Sequence, residues 1–438
     1  MRTEPYRAHV QTLQKSAEEA LEASGFDSLV IGSGVPLRYF ADDQDAPFRP
    51  TPHFARWTPL SSPNHLLHIR PGSKPLLVRV APEDYWYEQV PLGSPFWASE
   101  FEIRDVTAAE VAWKELGELG RTAYVGDDGK QARSQGFSGD RIQPRALVAR
   151  LDWDRSFKTD WEVECIEEAE RIAARGHVAV RSAFEAGASE LETHHVYVSA
   201  LGCTDADLPY PTIICHDEKS AILHYTGKRS RTNARVLLID AGASCQGYAS
   251  DITRTWTSSA CDALFRDLVR GMDELQQGLC NEVRPGLRYL DLHLLAHIRI
   301  AELLHSIGIL RPSAEEACEQ GLTRPFFPHG LGHFLGLQVH DVAGHQKSPS
   351  GGRVAPPPEH PYLRTTRTIE AGQVFTIEPG LYFIEMLLRE HRAGPTARHF
   401  DWKLVDRLAP FGGVRIEDNV LVTEDGHRNL TRAHLEAS

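Results

Sequence analysis

The chain has 438 residues, 41% of them apolar and 24% charged, with a formal charge of −13. That length exceeds one ordinary hydrophobic core and predicts two domains. No window approaches the roughly eighteen apolar residues that span a bilayer, and the negative charge, with no Lys/Arg run to offset it, argues against nucleic acid as a partner.

The start, MRTEPYRAHVQTLQKSAEEALEASGF, lacks an apolar core with a cleavage site, so no secretory signal and a cytoplasmic location are expected. Val10, Leu13, Ala17, Ala20 and Leu21 follow helical spacing up to Gly25. The runs DSLVIGSG, HLLHI, PLLVRV and TAYVG read as short strands alternating with helical stretches such as VTAAEVAWKELGELG, an α/β pattern over residues 1–155. RLDWDRSFKTD, near 150–160, is charged and turn-rich, and the domain junction is predicted there, leaving 156–438 as the second domain.

Beyond it, WEVECIEEAERIAARGHVAVRSAFEAG is a long amphipathic helix with Cys165, Ile166, Ala169, Ile172 and Ala173 on one stripe. A strand pair, helices near 262–281 and 288–307, and a strand-rich last third follow, with VAPPPEHPY (354–362) as a loop. No internal repeat or low-complexity tract stands out. The seven cysteines are scattered and never paired as CxxC, which predicts free thiols.

FFPHGLGHFLGLQVHDVAGH (326–345) packs His329, His333, His340 and His345 into one stretch. H-x-x-x-H on a helix would be a zinc-protease signature, but Gly330, Gly332 and Gly336 oppose a helix there. VLLIDAGASCQGYASDITRTW (236–256) ends one apolar strand at Asp240 and sets Asp251 in a second, a spacing that a hairpin can close so that both carboxylates face one point. Facing buried acids repel unless a cation joins them. The alternative, two solvated turn aspartates, is opposed by the flanking apolar runs.

VFTIEPGLYF (374–383) carries Glu378 and GGVRIEDNVLV (412–422) carries Glu417 in similar settings. Four carboxylates and an imidazole form a mostly oxygen set that two divalent cations would neutralise. Such a set suits Mn²⁺, Co²⁺ or Fe²⁺ at least as well as Zn²⁺, and paired ions roughly 3.5–4 Å apart activate a water for hydrolysis.

In that order, Asp240, Asp251, the histidine of PHGLGH, and the glutamates of IEPG and RIED resemble the pita-bread metallopeptidases. YPTIICHDEKSAILHYT, PYLRTTR and APFGGVRIEDNV, with RYFADDQDAPFRPTPHFARW and PEDYWYE nearer the start, extend the resemblance over nearly the whole chain, toward the bacterial Xaa-Pro dipeptidases (prolidases) and the related organophosphorus acid anhydrolases. The resemblance implies an α+β fold, a pita-bread catalytic domain after a smaller α/β domain. It also implies hydrolysis of Xaa-Pro dipeptides by a hydroxide bridging two metal ions, foremost Mn²⁺, and a homodimer without membrane attachment.

Residue by residue, the resemblance makes Asp240, Asp251, His333, Glu378 and Glu417 the metal ligands, with Asp251 and Glu417 bridging. Glu378 would also move the proton, and His340 and His224 would position substrate and oxyanion. Arg364 would grip the substrate carboxylate, a role its sequence context alone does not suggest. Tyr210, Asp43 and Trp86 would line the pocket, Asp43 arriving from the other subunit, while Arg415 and His329 would support the ligands from behind. His345 has no role in this scheme and reads as a solvated loop residue. Cys215-His216-Asp217, read as a loop, and EHRAGPTARHF (390–400) depart from the family pattern. Two further readings stay open: phosphorus esters and fluorides as substrates, and a pita-bread module that binds peptides without catalysis.

Overall fold

The structure, a computed structural model, describes residues 3–86 and 91–436, so the last two residues of PEDYWYE lie outside the described residues. These fall into two compact units, one within Met1–Arg155, Thr159–Val163 and Ser348–Gly352, the other within Ser156–Lys158, Glu164–Lys347 and Arg353–Ser438. Helices and strands mix in both, an α+β architecture. Among the described residues no helix is long and apolar enough to cross a membrane, and all seven cysteines are free.

In the first unit, the helix Thr3–Ser24 buries Tyr6, Val10, Leu13, Ala17, Ala20 and Leu21, the three-and-four spacing of a single face. Its sheet runs β4-β3-β2-β1-β5, with β1 Ser28–Gly32, β2 Leu66–Ile69, β3 Leu76–Val80, β4 Glu102–Val106 and β5 Thr122–Val125. β1 pairs antiparallel with β2 and parallel with β5. Val30, Leu66, Val78, Trp113, Tyr124 and Phe137 pack one core cluster of the unit.

The 150–160 segment is not turn-rich. A helix spans Arg145–Arg155, and another begins at Asp160 and runs to Glu185. Arg150 pairs with Asp154 one turn on, at 2.9 Å, and both reach the helix Thr3–Ser24, Arg150 at Glu19 and Asp154 at Ser16, so charges that read as loop tie two helices together while Leu147 and Arg155 are buried. The start of EHRAGPTARHF also lies in a helix, Glu385–Ala393, with Leu388 as its buried anchor. Cys215 and His216 end the strand Ile213–His216 rather than a loop, buried because both faces of that strand are covered.

In the second unit, the strand Val236–Asp240 lies between Ile213–His216 and Thr253–Thr257, antiparallel to both. Val374–Ile377 pairs with Asp418–Val422, and Gly380–Tyr382 with Gly413–Arg415. The helix Ala263–Asn281, capped by the Asp262 carboxylate on the Leu264 N–H, buries Phe265, Leu268, Met272, Leu275 and Leu279 in the same cluster as residues of the Tyr289–Ser306 helix and of these strands. Each such side chain contributes about 1.5–3 kcal/mol of burial. This packed layer holds the strand ends that carry the acids.

Candidate active site and metal centre

Register explains why the acids meet. Thr253 lies opposite Asp240 in the ladder, and it also bridges to Glu417, whose N–H donates to the Thr253 carbonyl at 3.0 Å. Asp240 and Glu417 thus flank one residue. The hairpin does fold back, but Asp251 sits just ahead of the returning strand rather than inside it, and Glu417 sits at the break between Gly413–Arg415 and Asp418–Val422. At these breaks a side chain leaves the alternation of a strand and turns into the site. The intervening turn needs Gly242, where a Cβ would lie 1.9 Å from the Ser250 carbonyl oxygen.

The histidine-rich stretch carries no helix. Instead 331–335 runs beside the Val374–Ile377 strand: Thr376 N–H donates to the His333 carbonyl at 2.9 Å, and Glu378 N–H to the Leu331 carbonyl at 2.8 Å. A Cβ at Gly332 would lie 2.1 Å from the Thr376 carbonyl oxygen, so only glycine permits this approach. The pairing sets His333 Nε2 3.6 Å from Glu378 and 3.5 Å from Asp251. Nδ1 of His333 faces the Phe334 carbonyl at 3.1 Å, which leaves Nε2 as a lone pair when Nδ1 is the donor.

A buried cation is bonded into this group. Arg415, 4% exposed, reaches Asp240 at 2.6 Å, donates to the Tyr382 hydroxyl at 3.0 Å and to the Thr253 hydroxyl at 3.2 Å. Thr253 in turn donates to Glu417 at 2.6 Å. The Tyr210 hydroxyl donates to Asp251 at 2.5 Å, so it touches a carboxylate rather than only lining a pocket. His329 packs behind, Nε2 to the Tyr382 hydroxyl at 2.9 Å and Nδ1 to the Gly330 carbonyl at 2.8 Å.

Electrostatics show how far the acids outnumber their counter-charge. Burial, then the neighbouring Asp240 charge, holds Asp251 well above the usual carboxylate range. Burial, then Asp251 and Glu378, does the same for Glu417, and burial pushes Glu378 up to about 8. Burial drives His333 down to about 3, keeping its imidazole neutral, the form that ligates metal. One oxygen of Asp240, Oδ1, is buried without a hydrogen-bond partner. Donor atoms of Asp251, His333 and Glu417 lie within 4.8 Å of one another. An orphaned carboxylate oxygen, repelling acids and a neutral imidazole are the donor set that hard divalent cations satisfy.

The remaining candidates divide. His340 meets His333 edge-on, ring centroids 4.3 Å apart. The charges of Arg364 and His224 act on His340, and that of Arg364 also acts on His333 and Glu378. Asp43 and Trp86 lie on exposed segments of the first unit. His345 is not a solvated loop residue: Nε2 bonds the Leu363 carbonyl at 2.8 Å, next to Arg364, because the loop folds back on it. Sequence reading missed Thr253, Tyr382 and Asn419, whose amide donates to the Asp251 carbonyl. The SDITRTW pattern holds the one available hint, a hydroxyl two residues after Asp251.

The chain belongs to metallopeptidase family M24, the pita-bread metallopeptidases: residues 164–424 match that family, and residues 4–153 match the Xaa-Pro dipeptidase N-terminal domain. More particularly, it is similar along almost its full length to proteins named Xaa-Pro dipeptidase. The one from Shewanella loihica is 44% identical over 431 residues, 98% of this chain and 97% of that one. The one from Pseudoalteromonas atlantica is 41% identical over 435 residues, 98% of both. In fold it is similar to Escherichia coli aminopeptidase P. A variant of that enzyme in complex with substrate gives a TM-score of 0.74 at 23% identity over 98% of both chains, a likeness of fold alone.

Proposed function

We propose that the protein is an Xaa-Pro dipeptidase that cleaves Xaa-Pro dipeptides and frees the C-terminal proline, with two divalent ions, Mn²⁺ foremost, held by Asp240, Asp251, His333, Glu378 and Glu417. The observation that carries this reading is the meeting of donor atoms of Asp251, His333 and Glu417 within 4.8 Å, with Glu378 3.6 Å from His333 and the Asp240 carboxylate close enough to act on Asp251, a surplus of acid at one buried place. When bound, such ions polarise a peptide carbonyl and acidify water enough for it to ionise near neutral pH.

The chain's own groups do the rest. An amide to proline has no N–H, and its nitrogen must gain a proton to leave. Glu378, which a bound metal ion would keep ionised, takes the proton of the attacking water and returns it to that nitrogen. His340 and His224 hold the substrate and donate to the oxyanion, a role worth about 3–4 kcal/mol per donor. Arg364, exposed but acting electrostatically on the site, grips the C-terminal carboxylate and restricts the enzyme to dipeptides. Arg415 orients Asp240, and through Thr253, Glu417.

The reading includes a division into domains at 155/156, supported by the two compact units and by the two family matches. It also includes a homodimer. In support, Asp43 and Trp86 share the first unit's surface with the outward-facing Leu37, Tyr39, Phe40 and Tyr85, apolar exposure that suits an interface. Light scattering that returns a monomer of full activity would remove that part.

The deciding experiment measures proline release with Mn²⁺ from an Xaa-Pro dipeptide and an Xaa-Pro-Yaa tripeptide, beside Asp251→Asn and Arg364→Met. The expected result is cleavage of the dipeptide alone, lost in Asp251→Asn, and a raised KM in Arg364→Met. Equal cleavage of the tripeptide, or no cleavage of either by metal-loaded protein, would overturn the proposal.

A further inference from the structure

Away from the carboxylate centre, a second cluster of ligand-type side chains stands without an assigned task. His293 and His297 lie one turn apart on the helix Tyr289–Ser306, hence on one face. His360 comes to the same place from the 354–362 loop. The three rings form a nearly equilateral triangle, with centroids 4.8 Å (His293–His297), 4.5 Å (His293–His360) and 4.7 Å (His297–His360) apart. One ring nitrogen from each lies within 4.8 Å of the other two.

We propose that His293, His297 and His360 form a second metal site that takes one ion of the Zn²⁺ class, separate in chemistry from the carboxylate centre.

The nitrogens make the case. His293 is 1% exposed and neither of its ring nitrogens has a hydrogen-bond partner; His297 is 4% exposed and its Nε2 has none. Packing against Phe327, at ring distances of 5.6 and 5.0 Å, accounts for the faces of these imidazoles but satisfies none of their nitrogens. Nδ1 of His297 bonds the buried Thr323 hydroxyl at 2.8 Å. With Nδ1 as donor, that bond turns an Nε2 lone pair toward the cluster, as an outer partner of a metal-binding histidine does.

Burial keeps all three imidazoles in the neutral form that ligates, helped at His293 and His297 by the neighbouring rings. The Arg324 charge acts on His297 and His360, and Glu359 opposes it at His360. A tetrahedral ion with metal–nitrogen bonds of 2.0–2.1 Å needs donors about 3.4 Å apart, so small ring rotations close the site. His360 lines a cavity of about 320 Å³ together with Arg324, Glu359 and Tyr362, from which water supplies the fourth ligand. Three imidazoles without a carboxylate favour Zn²⁺, Co²⁺, Ni²⁺ or Cu²⁺ over Mn²⁺ and Mg²⁺. The ion would tie the loop that leads to Arg364 onto the helix.

The test loads the full-length protein with Mn²⁺, adds Co²⁺, and reads bound cobalt together with its visible absorption. The expected result is one Co²⁺ per chain with the intense bands of four-coordinate cobalt, displaced by Zn²⁺ and retained in Asp251→Asn. The signal should vanish in His360→Ala, whose half-buried side chain can be removed without opening the core, and weaken at least tenfold in affinity in His297→Gln. The proposal is overturned by an unchanged cobalt count and spectrum in His360→Ala, by a signal that disappears only in Asp251→Asn, or by no cobalt bound beyond the carboxylate centre.

Discussion

Glu162 in the first unit and Asp251 in the second are both shut away from water, 1% and 5% exposed, yet their acidities move in opposite directions. Burial raises both. At Glu162 it is outweighed by the Arg56 guanidinium, bonded at 3.2 and 3.3 Å, by His9 and by the Thr159 N–H, so the carboxyl falls to about 2. At Asp251 the neighbouring charges are mostly other acids, and Arg415 is already bound to Asp240. Asp418, fully buried between Arg254 and Arg432, behaves like Glu162 and stays below its ordinary value. The chain matches each acid that serves the fold with a cation and leaves a surplus of acid where, in the reading proposed above, metal ions bind.

If that contrast is right, removing a carboxylate should cost chemistry at one place and stability at the other. The largest effect is expected from Asp251→Asn: proline release falls at least about a thousandfold, since a ligand of the centre is lost. The metal-free variant, relieved of a repelling buried acid, should melt no lower than wild type. Added Mn²⁺ should stabilise wild type by about 2.7 kcal/mol at a hundred times its Kd and the variant far less. A metal-free variant that melts well below wild type would mean that Asp251 serves the fold.

The converse break is Arg56→Met, which leaves Glu162 buried without its cation. A loss of about 3–5 kcal/mol is expected, read as a lower urea midpoint. Glu162→Gln should cost a comparable amount, because it strands the buried Arg56 guanidinium, 7% exposed, without its counter-charge.

The same pair fixes a pH dependence. The folded carboxyl titrates at about 2 against an ordinary 4.5, so the folded state binds fewer protons than the unfolded one between those values. Its stabilising contribution is complete above pH 4.5 and fades as pH falls toward 2, a span of about 3 kcal/mol. The stability advantage of wild type over Glu162→Gln should be constant above that window and shrink as pH falls through it. Parallel curves throughout would show that Arg56 does not hold the acid ionised.

How much of this could be read from the sequence follows from the same physics. Asp240, Asp251, Glu378 and Glu417 stand out because a charge inside an apolar β-rich run is costly and draws attention wherever it occurs. Glu162 is hidden, since it looks like any acid in the first turn of a helix and its partner is 106 residues away. The charged helix Arg145–Arg155 is read as turn because its charges find partners far away in the sequence, Arg150 at Glu19 and Asp154 at Ser16. His293 and His297 pass for core residues of a helix until folding brings His360 beside them. Thr253 leaves only a faint mark, two residues after Asp251, and Tyr382 none, because threonine and tyrosine are ordinary strand formers.

Thr253 therefore carries the smallest and most discriminating test. Its hydroxyl receives a bond from Arg415 and gives one to Glu417, linking the guanidinium to an acid that it does not itself bond. Thr253→Val keeps shape and strand propensity while deleting that link. The backbone pairing with Asp240 and Glu417 persists, so the melting temperature without metal should change little. Mn²⁺ affinity should fall about 10- to 100-fold, the usual cost of losing an outer partner of a metal ligand. Thr253→Ser, which restores the hydroxyl, should recover it. A Val variant with unchanged Mn²⁺ affinity would show that Glu417 is positioned by the backbone alone, and that the contrast with Glu162 rests on charge without any help from hydrogen-bond geometry.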